Sequence, residues 1–110
     1  MLNGLSEEYR KALEEQMNST KNLREYCLEE AMKIVKDRNC QYGSPENNFA
    51  LIARFWSAYL DTSITSVDVA MMMGLLKIAR AKGSGYSSMD SFVDLAGYAA
   101  CGFECRQEPL

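Results

Sequence analysis

Two cations and two carboxylates in the last third of the chain are the side chains best suited to chemistry. Lys77 and Arg80 stand three residues apart in an otherwise apolar segment, and Asp90 and Asp94 stand four apart in the next, with Tyr98 one turn further on. Residues at these spacings are neighbours on one helix face. Two interpretations stay open. The four charges form two ion pairs between helices, or they form a polar pocket wall in which the cations hold phosphate and the carboxylates hold a metal ion or a ribose.

A second candidate group is the turn segment around Tyr42 and Gly43. The glycine allows a close backbone approach, and the amides at the start of the following helix can bind an anion. The ring of Tyr42 could stack on a nucleobase, and Asn47 or Asn48 could hydrogen-bond a base edge. The alternative is a capped turn with Asn47 as the N-cap of the next helix.

Composition and charge exclude several classes of function. The chain has 110 residues and 47% hydrophobic content, which fits one globular domain. A net charge of −3 without a basic stripe argues against duplex nucleic acid as a partner. The absence of histidine excludes Ser-His-Asp and Cys-His catalysis, and four cysteines without C-x-x-C spacing argue against zinc. No apolar run is long enough for a membrane helix and no signal peptide is recognisable, so we expect no membrane partner and a cytoplasmic location.

Apolar periodicity predicts an all-α fold, a compact bundle of about five helices without strands. The predicted helices cover about residues 6–17, 21–38, 46–60, 66–82 and 88–105. Residues 1–20 are interpreted as an N-terminal helix and linker, and residues 21–110 as a single helical-bundle domain. Thr65 followed by Asp68 resembles a capping box at the start of the fourth helix.

The distribution of apolar residues predicts which helix faces are buried. The fourth helix is apolar nearly all round, which is typical of the buried centre of a bundle. The third and fifth helices are expected to bury the following residues: Phe49, Ile52, Ala53, Trp56, Tyr59 and Leu60, and Phe92, Leu95, Ala96, Ala99 and Phe103. Phe55 lies off the main stripe of the third helix, where a second chain could cover it. We therefore predict a stable homo-oligomer, at least a dimer.

Three segments together resemble a known family. They are Tyr42-Gly43-x-Pro45-x-x-Asn48-Phe49-x-x-Ile52-Ala53-x-x-Trp56, Asp68-Val69-Ala70-x-Met72-x-x-Leu75-Leu76-Lys77-Ile78-Ala79-Arg80 and Asp90-Ser91-x-x-Asp94-Leu95-Ala96-Gly97-Tyr98. The combination is similar to a small all-α domain of unknown function from phages and prophages. More distantly, it resembles the MazG-like nucleotide pyrophosphohydrolases. The resemblance covers about residues 28–105.

The MazG-like resemblance implies an oligomeric helical bundle that binds nucleoside phosphates through Mg²⁺. That family holds the metal with an E-x-x-E pair on one helix and an E-x-x-D pair on the next. Asp90 and Asp94 are a partial counterpart of the second pair, with a spacing of four instead of three. Glu25 and Glu29 are the nearest candidates for the first pair, also at a different spacing. Two-metal hydrolysis needs several converging carboxylates, so this departure argues against catalysis more than against binding.

The function predicted from the sequence is capture of a phosphorylated nucleotide by a phage-type protein, without turnover and with no required cofactor. Sequestration of a host-defence nucleotide signal is a setting that the phage resemblance suggests. The predicted ligand-binding residues are Tyr42, Gly43, Asn47, Asn48, Lys77, Arg80, Asp90, Asp94 and Tyr98. The first alternative is a Mg²⁺-dependent nucleoside triphosphate pyrophosphohydrolase, with Asp90 and Asp94 as metal ligands. The second is a structural or protein-binding helical module.

Overall fold

The computed structural model describes residues 6–17, 22–42 and 45–106, and these form five α-helices with no strand among them. The helices are α1 (Glu7–Met17), α2 (Leu23–Tyr42), α3 (Pro45–Leu60), α4 (Ser66–Gly83) and α5 (Met89–Glu104). The all-α prediction is thus confirmed. The predicted end of the second helix at Arg38 was wrong, because the residues that disfavour helix, Gly43 and Pro45, come only after Tyr42.

Side-chain caps fix where α4 and α5 begin. The backbone N–H of Asp68 donates to Thr65 Oγ1 at 3.1 Å, and the Asp68 carboxylate accepts from the Thr65 N–H at 2.9 Å. This reciprocal pair is the predicted capping box, and it satisfies two amides that have no partner within the helix. At α5, Ser88 caps the helix by accepting from the Ser91 N–H at 3.3 Å.

The start of α3 differs from the capped-turn interpretation. The helix begins at Pro45, and proline suits the first helical position because its missing N–H would have no partner there. Asn47 is therefore the third residue of α3 and not its N-cap.

Helix α5 occupies the middle of the arrangement. It packs on α4 along most of its length and on α2 along another face, and it also contacts α3. α3 packs on α4, and α1 packs on α2. The α4–α5 crossing is close because Gly102 faces Ala70: a Cβ built at residue 102 would lie only 3.2 Å from Ala70 Cβ.

The prediction that α4 is the buried centre of the bundle was wrong for the single chain. Its buried residues are Val69, Ala70, Gly74 and Ala81, which are small or β-branched. α4 packs against two helices, α3 and α5, and these cover only part of its circumference. The following large apolar side chains of α4 are exposed: Met71, Met72, Leu75, Leu76 and Ile78.

Several apolar residues of α3 and α5 that were predicted to be buried are also exposed. They are Tyr59 and Leu60 at the end of α3, and Phe92, Ala99 and Phe103 on α5. Phe55 is exposed as well, as predicted. No helix of the described ranges is long and apolar enough to cross a membrane.

Candidate functional site

The structure brings Lys77 and Asp94 together. Lys77 Nζ lies 2.9 Å from Asp94 Oδ2, and the two side chains are only 16% and 29% exposed. The short connection between α4 and α5 makes these helices antiparallel, so the two residues stand at the same level as predicted. Of the two ion pairs in the first interpretation, the structure forms one, between Lys77 and Asp94, which fixes the register of α4 and α5. The other, between the described residues Arg80 and Asp90, does not form. The phosphate-binding role of Lys77 stays a prediction, and a lysine already paired with a carboxylate attracts an anion less strongly.

Arg80 and Asp90 are not brought together with that pair. Three residues along a helix correspond to 300°, so Arg80 is displaced by 60° from Lys77, and its side chain is exposed. Asp90 is exposed too, and its charge raises the pKa of Tyr9 on α1. The four charges therefore do not form one pocket wall.

Two of the remaining predicted residues, Asn48 and Tyr98, lie near the junction of α2, α3 and α5. The Tyr98 and Phe49 rings have their centroids 6.2 Å apart at 31°, and Asn48, half-buried, precedes Phe49 on α3. The cavity beside them is about 40 Å³, room for a water molecule but not for a nucleotide. Tyr42 ends α2, but its side chain and that of Asn47 lie outside the described part, as does Gly43 altogether.

A much larger cavity lies between α1, α2 and the start of α5. Its volume is about 580 Å³, within the range of roughly 300–1,000 Å³ typical of small-molecule sites. We call it the tyrosine cavity; it is lined by Tyr9, Leu13, Leu23, Arg24, Tyr26, Cys27, Leu28, Tyr86, Ser87, Met89 and Phe92. Its position could not be predicted from the sequence because its walls come from distant segments. The tyrosines at positions 9, 26 and 86 were the available signal.

The hydroxyl groups in this cavity differ in their hydrogen bonding. Tyr26 donates to the Glu30 carboxylate, and burial together with this hydrogen bond raises the pKa of Tyr26. Tyr9 Oη is buried without a hydrogen-bond partner among the described residues. Burial, reinforced by the negative charge of Asp90, raises the pKa of Tyr9 to about 12. At neutral pH the Tyr9 hydroxyl is therefore a protonated donor without an acceptor, an arrangement that is rare in folded proteins.

The described residues do not reproduce a multi-carboxylate metal site. Across the described helices, no three or more Cys, Asp or Glu side chains converge as a metal ion would require. Asp94 is paired with Lys77, whereas Asp90 acts on Tyr9. The predicted Mg²⁺ ligands thus face different neighbours, and we derive no metal-dependent step from them.

These features define a small five-helix protein with an aromatic cavity on one side of α5 and an ion pair on the other. The chain belongs to the family described as "Domain of unknown function (DUF6378)", whose model matches residues 26–106. The matched range begins within α2 and leaves α1 outside. Membership supports the predicted resemblance to a small phage domain. The more distant likeness to MazG-like hydrolases stays a prediction.

Two curated relatives come from mycobacteriophages. The chain is 48% identical over 87 residues to the "Gene 55 protein" of Mycobacterium phage D29, covering 78% of this chain and 57% of the relative. It is 45% identical over 74 residues to the "Gene 55 protein" of Mycobacterium phage L5, covering 66% of this chain and 47% of the relative. The matches thus span about half the length of these relatives. No solved structure matches the chain.

Proposed function

We propose that this phage-family protein binds a phosphorylated nucleotide-type ligand, with the base in the tyrosine cavity. The observation that carries the proposal is an apolar cavity of ligand size lined by Tyr9, whose buried hydroxyl has no hydrogen-bond partner among the described residues. A buried donor without an acceptor costs about 1–3 kcal/mol. Because the hydroxyl has almost no accessible surface, the Tyr9 side chain must turn towards the cavity for a carbonyl group or ring nitrogen of a nucleobase to supply the acceptor and recover that free energy.

The distribution of charge around the cavity orients such a ligand. The rings of Tyr86 and Phe92 offer faces on which a base can stack. Glu30 and Asp90 lie near Tyr9, since both raise its pKa, and their charges disfavour an anion at that end. Arg24 lines the cavity and is exposed, so it can donate charge-assisted hydrogen bonds to phosphate from the solvent side.

Binding without turnover would allow the protein to sequester a nucleotide signal of host defence, a setting suggested by its phage relatives. Calorimetric titration with a nucleotide panel, with and without Mg²⁺, tests the binding. Mass spectrometry of the bound and released species then separates the alternatives. We expect an intact ligand to be recovered. Released pyrophosphate with monophosphate would instead support the MazG-like hydrolase, and no retained nucleotide would support the structural or protein-binding module.

A pair of matched variants locates the phosphate contact. Arg24 and Arg80 are both exposed arginines on helices, and they lie at different sites. We expect Arg24→Ala to weaken binding by about 1.5–3 kcal/mol, the scale of hydrogen bonds to a charged group, and Arg80→Ala to leave affinity unchanged. The reverse result would assign the phosphate contact to Lys77 and Arg80, as predicted from the sequence.

A further inference from the structure

The exposed side of α4 forms a continuous apolar surface. We define the α4 face as Met71, Met72, Leu75, Leu76 and Ile78, all of which are exposed. Met71, Leu75 and Ile78 follow one another at spacings of four and three residues, the repeat of helices that pack side by side. Gly102 of α5 lies beneath the edge of this face, since a Cβ built there would come within 2.8 Å of Met71 Cε.

The size of this surface exceeds what isolated apolar residues would give. If each of the five side chains of the α4 face has about 200 Å² to bury, their exposed fractions correspond to roughly 470 Å². That lies within the range of the largest patch on a typical monomer, about 300–600 Å². It is also more than half of the roughly 800 Å² that each partner buries in a stable interface.

The two ends of the α4 face carry opposite charges. Asp68 lies seven residues before Leu75 and Lys82 lies seven after it, on the same stripe, and both side chains are exposed. If a second α4 lies antiparallel about a two-fold axis at Leu75, Asp68 stands opposite Lys82 of the partner subunit. A parallel arrangement would place like charges opposite each other. The charges of two facing α4 helices are therefore complementary only when the helices are antiparallel.

We propose that a second copy of this chain packs antiparallel on the α4 face, with Leu75 at the two-fold axis. The same patch serves both subunits, as in the symmetric dimers that are commonest among homo-oligomers. In such a dimer, the apolar α4 becomes the buried centre of the assembly. The dimer is independent of the proposed nucleotide site, since the α4 face shares no residue with the tyrosine cavity.

Light scattering coupled to size exclusion, over a concentration series of the full chain, tests the dimer. Leu75→Lys is the disrupting variant, and Met32→Lys is its control, because Leu75 and Met32 are 63% and 52% exposed on different helices and Met32 does not line the tyrosine cavity. We expect the parent and Met32→Lys to be dimers and Leu75→Lys to raise the dissociation constant about 30-fold or more. A monomeric parent at high micromolar concentration would refute the proposal. So would a dimer that Met32→Lys disrupts and Leu75→Lys does not.

Two further tests address the orientation and do not rely on the folding of Leu75→Lys. Lys82→Glu places two acids opposite each other at each end of the antiparallel pair, so we expect a higher dissociation constant, whereas Lys82→Arg should preserve the parent value. Met72 and Ile78 lie three residues before and three after Leu75, so they face each other across the antiparallel pair. Mixing Met72→Cys with Ile78→Cys should then give the mixed disulfide under oxidation, above the background of the native cysteines. Disulfides between identical positions only would show a parallel pair and overturn the proposal.

Discussion

Lys77 Nζ lies 2.9 Å from Asp94 Oδ2, and this largely buried ion pair joins α4 to α5. Asp94→Asn would leave the ammonium group without its carboxylate. We expect the free energy of unfolding to fall by about 2 kcal/mol, between the values for exposed and fully buried pairs. The corresponding decrease in Tm is about 10 °C for a domain of this size.

A double-mutant cycle with Lys77→Met provides the control for that prediction. If the two residues act mainly on each other, the free energy of unfolding of the double variant should fall by less than the sum of the decreases in the two single variants. Independent, additive losses would contradict a register-fixing ion pair. A folded Lys77→Met variant with lower nucleotide affinity would restore the phosphate role of Lys77.

Replacing Tyr9 with Phe separates ligand binding from stability. The Tyr9 hydroxyl is buried without a partner in the described part of the chain, so its removal should leave the free energy of unfolding unchanged or raise it. If a bound base accepts its proton, the same change should weaken binding by about 0.5–1.5 kcal/mol. Thermal denaturation and calorimetric titration measure the two effects. A marked loss of stability would mean that the hydroxyl has an acceptor within the protein.

Alkaline pH should destabilise the folded chain through Tyr9. Its pKa is raised from 10.0 to about 12 in the fold, so the folded state retains the proton more strongly than the unfolded state does. The contribution of Tyr9 to stability is thus complete below pH 10 and is lost as the pH rises towards 12. Urea denaturation of the parent and of Tyr9→Phe over this range isolates the effect, because the other tyrosines are common to both. Parallel pH profiles would contradict it.

Two glycines of α5 should respond oppositely to alanine. A Cβ at residue 97 would meet Val35 Cγ2 at 3.8 Å, an ordinary contact, so Gly97→Ala should gain about 0.5–1 kcal/mol of helix stability. A Cβ at residue 102 would meet Met71 Cε at 2.8 Å and Ala70 Cβ at 3.2 Å. Because the Ala70 Cβ cannot move away without its backbone, we expect Gly102→Ala to destabilise by about 1 kcal/mol net. Chemical denaturation of both variants checks the prediction, and equal effects would show that α4 and α5 separate easily.

The features that could be predicted from the sequence depend on neighbouring residues in the chain. The capping box of Thr65 and Asp68 lies within four residues, so its spacing is enough to predict the start of α4. Lys77 and Asp94 are predicted to stand at the same height along α4 and α5, because the short turn between these helices limits how the helices can be aligned. Even here the chain left two interpretations open, and only the measured distance showed that the two charges meet.

The sequence by itself determined the helical class, most helix boundaries and the register of α4 against α5. Hydrogen bonds and side-chain caps within each segment decide the first two, and the short turn between the two helices decides the register. Only the tertiary structure decided which faces are covered. α4 is apolar nearly all round, so its periodicity gives no direction, and contacts with α3 and α5 select the side that is buried. The tyrosine cavity likewise exists only because α1, α2 and the start of α5 approach one another. Such contacts between distant segments depend on how all the helices pack at once, which no local pattern in the chain specifies.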